Sequence, residues 1–352
     1  MADEHRIVDT TITQHFQRVG DTTGIGVHVG QRRGGCSMTR KIDGDARHSS
    51  TVEFRLQRRP TPRSVPRPVN QHNMSRTHVV IVAHAGTVTR SLATMTEPTS
   101  LDPLSIFRLD GRVAIVTGAS SGLGVHFARV LHAVGATVVL AARRADRLQS
   151  LVAELPGSIA IATDLQEPAD RERLVKETVE RVGPPRVLVN NAGVGHKVAV
   201  EDEDLDTFRT AMEVNVTAIW HLSKLCAPHM REAGGGSIVN IASMFGIVGS
   251  APVKQAHYCA SKGAVLNLTR ELGLQWARRN IRVNALCPGW FPSEMTEAMN
   301  DEASMNFLRQ NSPIPRMGEL SELDGALLLL SSDASTFMTG QEVVVDGGWT
   351  AR

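Results

Sequence analysis

Val113-Ala114-Ile115-Val116 runs without a break into Thr117-Gly118-Ala119-Ser120-Ser121-Gly122-Leu123-Gly124, and an amphipathic stretch from Val125 to Val134 follows. Four consecutive apolar and mostly β-branched residues predict a strand buried on both faces. Glycines at the turn let the backbone approach a pyrophosphate closely, and the start of the following helix favours its charge. A glycine-rich turn alone says little, but between a buried strand and a helix it predicts the first half of a dinucleotide-binding βαβ unit.

Outward from this unit the strand and helix patterns alternate. Thr137 to Ala142 reads as a second strand and Ser158 to Thr163 as a third, ending at Asp164-Leu165. Helical periodicity covers Ala169 to Val182. Val187 to Val189 is a fourth strand that runs into Asn190-Asn191-Ala192-Gly193, where Asn190 could tie neighbouring strands together. A long helix is expected from Leu205 to Arg231, with the polar Asn215 between Val214 and Val216. Ser237 to Ala242 is a fifth strand delivering Ser243, and Ile281 to Leu286 a sixth, before Pro288-Gly289-Trp290. Residues 294–310 read as a mobile, methionine-rich helical flap, Glu319 to Leu330 as a helix and Gln341 to Val345 as the last strand. This order predicts an α/β fold: one domain with a doubly wound parallel sheet of about seven strands, binding ligands at the C-terminal strand ends.

The second strand ends in Ala142-Arg143-Arg144, where an NAD site would place an acid for the ribose 2′-hydroxyl. Guanidinium forks there suit a 2′-phosphate, which favours NADP(H) over NAD(H) while leaving NAD(H) possible. The alternative is that Arg143, Arg144 and Arg147 decorate the exposed start of the next helix, an end where cations are mildly unfavourable.

Tyr258 is the single tyrosine of the 352 residues, and Lys262 follows four positions later. On a helix the two share a face. A cation held beside a phenol favours the phenolate, so the expected effect is a tyrosine pKa drawn from ~10 toward neutrality, suited to general acid/base work. A half-exposed aromatic with its ring in the core is the plainer reading of the same spacing.

The composition, 41% hydrophobic and 21% charged, is that of a soluble globular protein, and no apolar run reaches the ~18 residues of a membrane span. Cys36, Cys226, Cys259 and Cys287 form no C-x-x-C pair. They read as reduced thiols of a cytoplasmic protein with no disulfide framework and no metal site. Charge is uneven: residues 1–94 hold 14 Arg+Lys against 7 Asp+Glu, the remainder 24 against 29. Residues 1–94 show no sustained periodicity and are expected to be a disordered basic extension. Of three readings of this segment (a targeting leader, a nucleic-acid tail, or a start assigned too far upstream), the third is preferred. It makes the natural chain begin near Met95 and 95–352 the functional domain, with no nucleic-acid or membrane partner.

Together, Thr117-Gly118-x-x-x-Gly122-x-Gly124, Asn190-Asn191-Ala192-Gly193, Ser243, Tyr258-x-x-x-Lys262 and Pro288-Gly289 resemble the short-chain dehydrogenase/reductase family from about Leu109 to the C-terminus. The resemblance implies an NAD(P)-dependent oxidoreductase that passes hydride between nicotinamide C4 and a carbonyl or secondary alcohol. It assigns Tyr258 as general acid/base, Lys262 to the nicotinamide ribose and to lowering the tyrosine pKa, and Ser243 to the reacting oxygen. Asn215 would hold a proton-relaying water. Gly118, Ser120, Ser121, Gly122, Leu123 and Gly124 would cradle the phosphates. Asp164 and Leu165 would meet the adenine, and Asn191, Ala192 and Gly193 the ribose side. Pro288, Gly289 and Ser293 would sit against the nicotinamide.

Two departures stand out: the N-terminal extension, and a loop between Ser243 and Tyr258 about two residues longer than usual. Met244, Phe245, His257, Trp290, Phe291, Gly195 and His196 are the candidate pocket residues, with the two histidines more often solvated than catalytic. Residues 288–295 are similar to gluconate 5-dehydrogenases and to the 3-oxoacyl-carrier-protein reductase group. The family resemblance also implies a homodimer or homotetramer acting on a small-molecule carbonyl or alcohol. A non-catalytic dinucleotide-binding sensor or scaffold is the alternative, which an intact Ser243, Tyr258 and Lys262 weighs against.

Overall fold

The computed structural model describes residues 102–299 and 301–351, together with the short strands Gly30–Arg32, Gly35–Ser37, Ser49–Phe54 and Thr77–Val82. These four strands pair two by two, antiparallel, first with second and third with fourth. The remainder of the basic extension, and with it most of the disorder expectation, lies outside the described residues.

From residue 102 onward the strands of the main sheet are β1 (Val113–Thr117), β2 (Thr137–Ala142), β3 (Ile159–Ala162), β4 (Pro185–Asn190), β5 (Gly236–Ile241), β6 (Ile281–Pro288) and β7 (Glu342–Val345). They lie in the order β7-β6-β5-β4-β1-β2-β3, and every pairing is parallel. The helices are α1 (Gly122–Ala133), α2 (Ala145–Glu154), α3 (Pro168–Val182), α4 (Leu205–Met212), α5 (Ala218–Glu232), α6 (Ala256–Trp276), α7 (Glu302–Asn311) and α8 (Asp324–Ser331).

The unbroken apolar runs are explained by two cores. In β1, Ala114 and Val116 face one cluster with Phe127 and Leu131 of α1, Leu148 of α2 and Leu327 of α8. Val113 and Ile115 face the other, with Leu174 of α3, Leu222 and Met230 of α5 and Leu272 of α6. A strand covered on both faces has no polar side to show, and each such side chain contributes roughly 1.5–3 kcal/mol. Asn190 is tied to Asn240 of β5 at 2.9 Å, and Asn240 to Thr269 of α6 at 2.9 Å, a buried polar rung between two strands and a helix.

The order of strands reverses between β1 and β4, and there the C-terminal ends open into a crevice. Two details differ from the sequence expectation. The helix foreseen from Leu205 to Arg231 is interrupted by a π-helical turn, Glu213–Thr217, which holds Asn215. The flap divides into a 3₁₀ segment, Glu294–Met299, and α7, with Met299 buried against Trp290 and Leu308.

Candidate active site

The glycine turn sets one end of the crevice. Gly118 has φ +68°, and a Cβ there would come within 2.9 Å of Ala192 Cα. At Gly124 a Cβ would stand 2.2 Å from the Gly118 carbonyl oxygen. Both positions therefore exclude side chains, because β1 and the 190–193 turn pass so close. Thr117 closes that contact: its hydroxyl accepts from the Asn191 and Ala192 amides at 3.0 and 3.1 Å, while Asn191 Nδ2 donates to the Thr117 carbonyl at 2.9 Å. Thr117 belongs to the quoted motif, but its role as a clasp is visible only in three dimensions. Ser121 precedes the first turn of α1 without capping it, so the first amides of that helix take no bond from its side chain.

At the other end, β5 delivers Ser243, and α6 presents Tyr258 in its first turn with Lys262 one turn later. Lys262 is buried; its Nζ donates to the Ile241 carbonyl at 2.7 Å and sits 5.5 Å from the Tyr258 ring centre. Burial pulls the Lys262 ammonium down to about 8. Burial pushes the Tyr258 phenol up to about 12, with a hydrogen bond from Ser243 as the one influence drawing it down. The lowering expected of Tyr258 from Lys262 is thus opposed by burial, which raises the phenol. Removal from water disfavours both charged forms and outweighs their mutual attraction. Ser243 Oγ also accepts the Phe245 amide at 3.1 Å, which fixes the hydroxyl at the mouth of the site.

Asn215, fully buried in the π turn, uses its amide on the loop opposite. Its Oδ1 accepts from Val194 N at 2.8 Å, and its Nδ2 donates to Val194 O at 2.8 Å and to Ser261 Oγ at 2.9 Å. A Cβ on Gly193 would lie 3.4 Å from Asn215 Oδ1 and 3.5 Å from Lys262 Nζ, so these two groups converge beneath the 193–195 loop. Gly195 in turn presses on Tyr258, where a Cβ would meet the ring at 2.8 Å. His257 corrects an expectation: it is fully buried, its Nδ1 is in contact with the Glu203 carboxylate, and its Nε2 accepts the His196 amide at 3.1 Å. Only His196 of the two is exposed, and neither lines the cavity.

A cavity of about 400 Å³ joins the two ends, lined from Gly118, Ser120, Ser121, Gly122 and Leu123 to Ser243, Tyr258 and Lys262. Asp164, Leu165, Asn191, Ala192, Gly193, Pro288, Gly289 and Ser293 line it between. The structure thus brings together the predicted residues, with Gly124 packed just behind the turn. Ser293 meets the glycine turn directly, 3.3 Å from where a Gly122 Cβ would be. Arg143 is exposed at the rim, whereas Arg144 reaches inward, donating to Ser120 Oγ at 2.9 Å and Ser121 Oγ at 2.8 Å. Its partner is Glu294, which sequence reasoning missed: the carboxylate takes Arg144 Nη1 and Arg147 Nη1, each at 2.8 Å. These bonds hold Glu294 down at about 2. Arg147, read beforehand as possible surface decoration, belongs to the same cluster. Among the described residues no group of three His, Cys, Asp or Glu side chains is placed to hold a metal ion.

The geometry can be set beside known proteins. Residues 118–350 match the family model described as enoyl-(acyl carrier protein) reductase, and curated dehydrogenases align over nearly their whole length. The chain belongs to the short-chain dehydrogenase/reductase family. Galactitol 2-dehydrogenase (L-tagatose-forming) of Cereibacter sphaeroides is 38% identical over 253 residues, 71% of this chain and 99% of that protein. Gluconate 5-dehydrogenase of Gluconobacter oxydans is 37% identical over 250 residues, 70% and 97% of the two chains. The crystal structure of a gluconate 5-dehydrogenase from Burkholderia cenocepacia, in complex with NADP and tartrate, superposes with a TM-score of 0.67 at 35% identity, covering 71% of this chain and 99% of that one. This short-chain dehydrogenase/reductase is accordingly an oxidoreductase. No described helix is long and apolar enough to cross a membrane.

Proposed function

We propose that residues 95–352 form an NADP(H)-preferring dehydrogenase/reductase that interconverts a secondary alcohol and a ketone on a small polar molecule, with Tyr258 as the proton carrier. The observation that carries this reading is one cavity with the turn of Gly118 and Gly122 at one end and Ser243, Tyr258 and Lys262 at the other. The cradle fits a dinucleotide: the turn excludes Cβ atoms at Gly118 and Gly124, and the α1 amides behind Ser121 are left for an anion. Gly118, Ser120 to Gly124, and Asn191 to Gly193 would hold the phosphates and ribose, with Asp164 and Leu165 toward the adenine. Pro288, Gly289 and Ser293 would bound the nicotinamide. Arg144, with Arg147 beside it and Arg143 at the rim, supplies the donors for a 2′-phosphate. When bound, a nicotinamide gives or accepts the hydride at C4.

The chain's own residues manage the rest. In reduction, the neutral Tyr258 hydroxyl, kept protonated by burial, gives its proton to the forming alkoxide. Ser243 Oγ hydrogen-bonds the same oxygen and holds the carbonyl beside the phenol. Lys262, pinned by the Ile241 carbonyl, keeps its ammonium near the ribose side and favours the phenolate once Tyr258 has lost its proton. Asn215 holds the 193–195 loop over Lys262 and Tyr258, and we assign a proton-relaying water to this place.

The substrate is taken to be a polyol or sugar acid. The relatives named for galactitol and gluconate support this, as do Lys197 and Gln255, which line the cavity together with Phe245 and Trp290. Exposed Leu205, Phe208, Trp220 and Leu274 on α4, α5 and α6 support assembly into a homodimer or homotetramer. Free Cys226 and Cys287 are buried thiols that suit a cytoplasmic protein. The test is a panel of polyols, sugar acids, simple ketones and acyl thioesters followed by nicotinamide absorbance. Turnover of a polyol or sugar acid with NADP(H) is expected; turnover confined to acyl thioesters, or equal use of NAD(H), would count against the reading.

A further inference from the structure

Glu294 opens the 3₁₀ segment of the flap, 150 residues from Arg144 in sequence, yet its carboxylate receives four hydrogen bonds at the far end of the cofactor crevice. Two come from Arg144, at 2.8 and 3.1 Å, one from Arg147 at 2.8 Å and one from the Ser121 hydroxyl at 2.9 Å. Two guanidinium groups and a serine hydroxyl converging on one anion are the donors that a phosphate monoester takes. We propose that Glu294 is an internal stand-in for the 2′-phosphate: it competes with the phosphate group of a 2′-phosphorylated adenosine for Arg144 and Arg147, and thereby sets how strongly this chain prefers that cofactor.

The inference rests on the assignment of Arg144 to the 2′-phosphate and deepens it. A carboxylate carries one charge and a phosphate ester −1.5 to −2 near neutrality, so the ester is the stronger partner for two arginines. Its entry displaces Glu294 at the expense of four existing bonds, whereas an adenosine with a free 2′-hydroxyl leaves those bonds in place. The existing pairs thus subtract from the affinity for 2′-phosphorylated ligands alone. The carboxylate stays ionised throughout the working pH range, held down by these same arginines, so the competition does not fade with mild acid. Glu294 also begins the segment that carries Met295 and Met299 into the cavity wall, which links the adenosine end to the substrate end.

The experiment is calorimetric titration of the full chain with adenosine 2′,5′-bisphosphate and, separately, adenosine 5′-monophosphate; neither contains a nicotinamide, so no turnover is involved. Wild type, Glu294→Gln and Arg144→Ala are compared, each first checked for an unchanged far-ultraviolet spectrum, with Glu294→Ala as a second variant should the glutamine retain hydrogen bonds to the arginines. Glu294→Gln is expected to tighten the bisphosphate roughly tenfold, within the usual span of coupling between two ligands, and to leave the monophosphate within twofold. If both glutamate variants leave the bisphosphate unchanged, or tighten both ligands alike, the competition is refuted. In that case a wild-type preference for the bisphosphate that Arg144→Ala abolishes still upholds the 2′-phosphate site. If wild type and Arg144→Ala bind the two ligands equally and Glu294→Gln gains no selectivity for the bisphosphate, the 2′-phosphate assignment and the competition fall together. Selectivity gained by Glu294→Gln and lost again on adding Arg144→Ala upholds both.

Discussion

The two ends of the crevice are built on opposite electrostatic plans. At the catalytic end Lys262 is buried and Tyr258 partly so, and loss of water is the main influence that moves the phenol up to about 12 and the ammonium down to about 8. At the adenosine end Arg144 and Glu294 remain 38% and 50% exposed, and paired charges govern instead, holding the carboxylate at about 2. Burial tunes a group by making its charge expensive; pairing tunes it by supplying the opposite charge. The first keeps the proton on Tyr258 until a more basic oxygen, such as a forming alkoxide, takes it. The second suits recognition, because exposed ion pairs are worth little and can be traded for a better anion.

Substitutions can break or sharpen this contrast. Tyr258→Phe should cut kcat at least ~10³-fold while leaving cofactor affinity within a few-fold, since only the proton is lost. Near-normal turnover would remove Tyr258 from the chemistry. Ser243→Ala should cost ~10²-fold in kcat, the scale of one lost donor to a developing oxyanion. At the opposite end, Arg143→Ala with Arg144→Ala should raise KM for NADPH ~10-fold or more and barely move KM for NADH. Arg144→Ala alone should account for most of that, as Arg143 is exposed at the rim. Equal effects on the two cofactors would contradict the 2′-phosphate role.

The smallest effect concerns stability. Folding lowers the pKa of Lys262 from ~10.4 to about 8, so its charged form opposes folding. That opposition is complete below pH ~8 and vanishes as pH rises toward ~10.4, because the unfolded chain binds the extra proton in that window. Lys262→Met, though inactive, should therefore be more stable than wild type at pH 7 by roughly 1–3 kcal/mol, with the gap narrowing by pH 10. A gap that widens with pH in denaturant titrations would contradict the burial argument. Glu294→Gln should shift stability by less than ~1 kcal/mol, as its exposed pairs are screened.

Local chemistry was legible in the sequence and distant chemistry was not. The run from Val113 to Gly124 announces its strand, turn and helix because burial on both faces and side-chain exclusion write themselves into adjacent residues. Tyr258 and Lys262 are found by helical spacing. The direction expected for the Tyr258 phenol did not anticipate burial, because spacing reveals a neighbouring cation and not the hydrocarbon around the group. Glu294 escaped notice since its partners lie 150 residues back. His257 was read as a solvated pocket candidate because Glu203, which it meets inside the fold, belongs to a segment that bears no motif. The π turn at Asn215 is not written in its neighbours Val214 and Val216, and the backbone that its amide bonds, at Val194, lies across the site.

Because Tyr258 is the only tyrosine in the chain, its ionisation can be followed directly by tyrosinate absorbance in the intact protein. Without cofactor, the phenol should resist deprotonation until about 12, provided far-ultraviolet dichroism shows the fold intact. With saturating oxidised NADP, whose nicotinamide ring is cationic, the midpoint should fall by at least ~1 unit. A midpoint near the ordinary ~10 in both states, or one that ignores the cofactor, would contradict the claim that Tyr258 is a buried proton carrier facing the nicotinamide.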